Sequence, residues 1–224
     1  MKKYPVVALG LLLSTAVLTF PGTASGAELP SPPIQAADYT GIYALNPGAR
    51  LTVIVDGNGQ LQARLTSHPF FPIAATGHDQ FAMGGGVIVL RFGRSSAGRV
   101  NSVILEQHGA AVTAARTDDP VPTVIFLPAA KLAEYVGRYP MTKGKQAGAD
   151  CLITIKNGWL FTQIGPTAAG APAQRAFPLF ADGPDHFALD VVPASVSFER
   201  DPAGVVIGLT IHQNGGDNHL NKAP

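Results

Sequence analysis

Two short stretches of this sequence set an acid beside tyrosines at a spacing that invites a chemical reading. Asp38–Tyr43 reads DYTGIY, and Glu134–Tyr139 reads EYVGRY. A carboxylate close to two phenols could relay a proton or hold a polar ligand, so Tyr43 and Tyr139 are candidate contact residues. Asp79 and Asp185 recur in GHDQF and GPDHF. Paired carboxylates can act as acid and base, but both also stand where Asp and Gly favour a turn. His212 and His219 flank QNGGDN, with Asp217 between them, and His68 and His78 fall in loops. No pair has the spacing of a zinc site, and no metal or cofactor is expected. Gly84–Gly86 lacks the Lys-Ser/Thr of a phosphate loop and reads as a long hairpin turn. Cys151, the only Cys, alternates with Ile153 and Ile155 and reads as a small buried hydrophobe. Nothing local would activate it as a nucleophile. Gln107 and Gln213 lie near a Gly at the end of a strand pattern. They are candidates to line a barrel mouth, or else to hydrogen-bond turn backbone.

The two motifs belong to a duplication. FPIAATGHDQFAM (Phe71–Met83) aligns with FPLFADGPDHFAL (Phe177–Leu189), and the same register carries Phe92, Arg94, Gln107 and Gly109 onto Phe198, Arg200, Gln213 and Gly215. That is roughly 14 identities in about 39 ungapped positions, the signature of a structural repeat. The second copy carries about ten extra residues, in TKGKQAGAD and GPTAAGAPAQR. Both segments are loop-like in composition, where insertions are tolerated.

Each copy reads as eight short strands. In the first they are 40–45, 51–55, 61–65, 70–75, 80–83, 87–92, 100–107 and 111–117. DGNG at Asp56–Gly59 and the Asn157–Gly158 pair are hairpin signals. IQAADY and AAKLAEY could each form one helical turn. Leu51, Val53 and Val55 alternate as Cys151, Ile153 and Ile155 do, which gives one buried face. Eight strands in an open sheet would leave two unpaired edges, and closure removes them. The expected fold is all-β: two tandem antiparallel up-and-down barrels, residues 28–117 and 129–224, joined by a linker at 118–128. A single larger barrel shared by both copies is the alternative. An eight-stranded interior is just wide enough for side chains to fill, which argues against a roomy cavity. Phe71 and Phe177 are expected in the cores. Phe70 has Ala176 as its counterpart and is expected to be exposed, a candidate contact residue.

Lys2 and Lys3, the apolar run 6–20 and the small residues through Ala27 have the order of a secretory signal peptide, 1–27. The run is shorter than a bilayer span. Its removal leaves 14 basic against 15 acidic residues, without the basic stripe that nucleic-acid binding requires. The expected location is exported, periplasmic or secreted, with no membrane insertion after cleavage.

LAEYVGRY, ITIKNGWL, FPLF…DHF, VSFERD…GVV and LTIHQNG in the second copy resemble the lipocalin-like C-terminal domain of penicillin-binding-protein-like and β-lactamase-like serine hydrolases. The first copy fits more loosely. The resemblance implies a small barrel without catalytic residues, serving as an accessory to a hydrolase. The Ser-x-x-Lys nucleophile motif of those enzymes does not occur here. The chain is thus expected to be a non-catalytic binding or interaction module of the bacterial envelope. Its partner would be an envelope protein or, alternatively, a small apolar ligand. Related barrels often close with Gly-x-aromatic on the first strand and a cation on the last. Gly41 and Tyr43 would then meet Arg116, over or beside the Tyr43 ring, and Gly137 and Tyr139 would meet Lys222, near the Tyr139 ring.

Overall fold

The computed structural model describes residues 35–46, 48–144 and 146–224. The signal-peptide segment expected at 1–27 lies outside the described residues.

The first copy is a closed barrel of eight antiparallel strands in sequential order. Its strands are β1 (Gly41–Asn46), β2 (Ala49–Val55), β3 (Leu61–Leu65), β4 (Phe71–Gly77), β5 (Gln80–Met83), β6 (Ile88–Arg94), β7 (Val100–Gln107) and β8 (Ala110–Arg116). Closure is direct, since Tyr43 on β1 pairs with Arg116 on β8. The second copy repeats the order with β9 (Gly137–Pro140), β10 (Asp150–Lys156), β11 (Trp159–Ile164), β12 (Phe177–Gly183), β13 (His186–Ala188), β14 (Ala194–Arg200), β15 (Val206–Gln213) and β16 (Gly216–Asn221). Its end strands meet through a single backbone bond, Ala223 N–H to Arg138 O at 2.8 Å, so this barrel is nearly closed. The two copies keep separate sheets, which removes the shared-barrel alternative.

The strands form where alternation and turn chemistry agree. Leu51, Val53 and Ala63 face the first core, and Cys151, Ile153 and Leu160 face the second. Asn157 and Gly158 both take positive φ, the conformation that a tight hairpin of this hand needs. Gly84–Gly86 all do so in the turn between β5 and β6. A short helix precedes each first strand: α1 (Ala36–Tyr39) and α2 (Ala129–Tyr135). Each lays a fully buried tyrosine, Tyr39 or Tyr135, across one end of its barrel core. Thr117–Pro128 carries no helix or strand, yet it is pinned by Ile125 N–H to Ala181 O at 2.7 Å.

The barrels pack through a third apolar cluster. Ile54 and Phe70 of the first meet Phe180 and Trp159 of the second, with Val124 of the connection between them. Phe70 is 2 % exposed, its ring 5.6 Å from Phe180 and 5.9 Å from Trp159. The expectation that Phe70 is exposed is therefore corrected: it lies on the outside of its own barrel and is covered by the other. Phe71 and Phe177 are half-buried rather than fully in the core. The contact does not use matched residues. In the alignment of copies, Ile54, Phe70, Trp159 and Phe180 correspond to Thr154, Ala176, Gln60 and Ala74. Thr154, Gln60 and Ala74 are exposed. Thr52, Gln62 and Arg64, the buried polar residues of the described chain, stand on β2 and β3 beside this contact.

Candidate functional site

The opening motif is a structural cap, and every recurring position in it has a partner. Tyr39 donates its hydroxyl to Asp79 Oδ1 at 2.7 Å, and Tyr135 does the same to Asp185 at 2.7 Å. Arg94 Nη2 stands 3.0 Å from Asp79, and Arg200 Nη2 stands 2.8 Å from Asp185. The same arginines reach the acid of the motif: Arg94 to Asp38 at 3.2 Å and Arg200 to Glu134 at 2.8 Å. Their guanidinium carbons lie 5.5 and 5.3 Å from the centroids of the Tyr39 and Tyr135 rings. Tyr43 and Tyr139 close the cap by donating to the backbone oxygens of Tyr39 at 2.8 Å and Tyr135 at 2.7 Å.

The electrostatics follow from this geometry. The Arg200 hydrogen bonds, aided by Tyr135, hold the Asp185 carboxyl below the usual range against the opposing effect of burial. At Asp79 burial is the larger single influence and acts upward, but the bonds from Arg94 and Tyr39 together overcome it. Burial pushes the Tyr43 phenol up to about 12. Burial followed by the Asp185 hydrogen bond pushes Tyr135 up to about 12. Phenols held neutral against fixed carboxylates are poorly placed to relay protons, and each is tied into the network that covers the end of its barrel.

Closure differs in detail from the sequence expectation. Arg116 stands beside Tyr43 as its cross-strand partner, but the cations on aromatic faces at this end are Arg94 on Tyr39, and Arg200 and Lys131 on Tyr135. Arg116 instead crosses Gly41, where an added Cβ would meet its Nε at 2.7 Å. It donates to the carbonyls of Asp38 and Val100, each at 3.1 Å, and of Thr40. Lys222 crosses Gly137 in the same way, with an added Cβ 2.6 Å from its Cε, and donates to Glu134 O at 2.9 Å. Gly leaves room at both places for the crossing cation, which an added side chain would push aside. The Tyr–Asp–Arg network was missed in the sequence, although all three positions recur in register.

The opposite end of the second barrel is open. A cavity of about 490 Å³ enters there, with Thr162, Ile164, Val196 and Ile211 on its walls and Gln213 and Asn218 near the mouth. The expectation that neither barrel holds a roomy cavity is thus corrected for the second copy. Two differences between the copies account for it. Ala194 and Val196 pair with Gln213 and Ile211, while Ile88 and Leu90 pair with Gln107 and Leu105 in the same register. The second copy therefore has the smaller residue at each of two inward positions. Consistently, Met83 and Leu105 are buried, whereas their counterparts Leu189 and Ile211 are only partly so. The loops with the extra residues supply the rim, contributing Gln146, Gln174 and Arg175. Of the two glutamines singled out in the sequence, Gln213 lines this mouth, and Gln107 lies in a shallow surface hollow with Glu106 and Val87.

Of the remaining candidates, Asp217 reaches the cavity lining, while Cys151, Ser197, His212, His186 and His219 do not. Cys151 is fully buried, with its Sγ 3.5 Å from Thr162 Oγ1, and burial raises the thiol pKa. Ser197 Oγ lies 2.9 Å from His212 Nε2, and His212 Nδ1 lies 2.7 Å from Asp217 Oδ1. This has the connectivity of nucleophile, base and orienting acid. Ser197, however, is inside a strand paired on both sides, so its backbone is committed to the ladder and offers no oxyanion hole. His186 Nδ1 lies 2.5 Å from Asp182 Oδ1, and His219 Nδ1 lies 2.8 Å from Glu199 Oε1. Among the described residues no group of three or more His, Cys, Asp or Glu is arranged to hold a metal. No protein-family model matches the chain, and no curated protein matches it.

Proposed function

We propose that this protein is an exported, non-catalytic binding module of the bacterial envelope that holds a small, mainly apolar ligand in the open end of its second barrel. The observation that carries this reading is the asymmetry of the duplication. One copy fills its interior, while the other has smaller inward residues and longer loops at the same end. Apolar walls with a few polar groups at the rim suit a molecule with an apolar body and one polar end. The likeness of the second copy to lipocalin-like accessory domains of serine hydrolases supports an envelope setting and a role without chemistry. Titration with the neutral fluorophore N-phenyl-1-naphthylamine tests the reading, together with native mass spectrometry of protein purified from its own host. Saturable fluorescence enhancement, or a bound mass released on unfolding, is expected. The absence of both would overturn it.

A further inference from the structure

The cavity rim is not held by the second barrel alone. Asp190 stands in the turn between β13 and β14, next to Val191 and Val192, which line the cavity. Its carboxylate leaves its own barrel and pairs with Arg64 on β3 of the first. The same oxygen accepts the backbone N–H of Ser67 at 3.0 Å. Ser67 takes positive φ, unusual for a residue other than Gly, in the turn between β3 and β4. Its hydroxyl accepts Arg175 Nη2 at 3.0 Å, and Arg175 belongs to the inserted loop between β11 and β12, which also lines the rim. One turn of the first barrel thus grips two rim segments of the second.

Arg64 is built for this task. It is 7 % exposed and sandwiched by aromatics, its guanidinium carbon 4.3 Å from the Phe180 centroid and 5.1 Å from that of Phe70. Arg64 Nε and Asp190 Oδ1 are buried without a hydrogen-bond partner. A buried pair satisfied only in part adds little to stability against an apolar pair of the same shape, and is better understood as fixing one geometry. The counterpart of Asp190 in the first copy is Gly84, so the first barrel has no such tether.

We infer that Arg64, Asp190, Ser67 and Arg175 are positioning residues by which the first barrel holds the mouth of the second in its binding shape. Resting on the ligand-holding reading above, this gives the packed copy a role: it is the frame for the hollow one.

The test uses the full chain with Arg64→Met/Asp190→Asn, which removes both charges and leaves no lone ion buried. Arg64→Lys, which keeps the cation, is the conservative control. Two quantities are read: dissociation of N-phenyl-1-naphthylamine by stopped flow, and amide hydrogen exchange across residues 188–194. In the double variant, release and exchange at 188–194 are expected at least tenfold faster, with exchange in β7 and β8 unchanged. Arg64→Lys should recover most of both. A purely structural role would shift the unfolding midpoint without this local signature. Unchanged release and exchange would overturn the inference. Should the wild-type chain neither bind the fluorophore nor carry a bound mass, the ligand reading fails by itself, and local exchange still decides the clamp.

Discussion

Giving the second barrel the inward residues of the first should close its cavity. The perturbation is Ala194→Ile with Val196→Leu, which copies Ile88 and Leu90 onto positions of the same register. The pair adds four carbons to the wall. At about 0.8 kcal/mol per buried methylene, full burial would contribute about 3 kcal/mol. The cavity is open at its mouth, and Ile211 and Leu189 beside it are only partly buried, so about half that figure is expected. For a two-barrel unit unfolding together, 1 kcal/mol moves the midpoint by about 2–4 °C, which gives a rise of about 3–6 °C. Thermal unfolding followed by circular dichroism measures this, and fluorophore titration measures the site. A rise in midpoint with at least a tenfold loss of affinity is expected. A fall of more than about 1 kcal/mol, the mark of overpacking, would show that these positions are already filled. Unchanged affinity would show that binding occurs elsewhere.

Three more predictions concern the caps. Gly41→Ala should cost about 1–2 kcal/mol in urea denaturation, because the new Cβ displaces Arg116 from carbonyls it now satisfies; Gly137→Ala should cost less, since Lys222 caps only Glu134 O. The Asp185 pKa is lowered in the fold, so its contribution is full above the unfolded value near 3.9 and is lost as pH falls through the folded value; Asp185→Asn should lower stability at pH 7 by about 1.5–3 kcal/mol and flatten the acid limb. The Tyr43 pKa is raised to about 12, so its contribution is full below about 10 and is lost as pH climbs from 10 to 12; Tyr135, raised to about 12 as well, adds to the loss, and the fall in stability over that window should be smaller in Tyr43→Phe than in wild type by about 2–3 kcal/mol.

The fold was legible because the information that sets it is local and written twice. The spans 61–65, 80–83 and 100–107 coincide with β3, β5 and β7, where alternation runs between two turn signals. Gly41 and Gly137 could be singled out because both copies need the same gap. Phe70 was misread because its burial depends on Phe180 and Trp159, more than eighty residues away in the chain, and comparison with Ala176 pointed to solvent. Asp79 and Asp185 illustrate a different limit. Each sits at positive φ in its turn, as its residue type suggests, but its carboxylate also binds Tyr and Arg. A local reason for a residue can hide a tertiary one. The cavity was invisible for a third reason: Ala194 and Val196 are ordinary core residues, and what distinguishes them is their size relative to Ile88 and Leu90, together with the longer loops at the rim.

The contact between the barrels has a consequence for assembly. Ile54 and Phe70 form a face that the second copy lacks, and Trp159 and Phe180 form a face that the first copy lacks. A lone barrel carrying both faces would join head to tail and grow into a filament. Here each barrel keeps one half of the joint, and both halves are consumed within a single chain. The residues Thr154, Ala176, Gln60 and Ala74 act as stoppers, so that growth ends at two units. A chain with Ala176→Phe and Thr154→Ile on its second barrel, and Gln60→Trp and Ala74→Phe on its first, would carry both faces free and, with them, a way to recruit the next molecule.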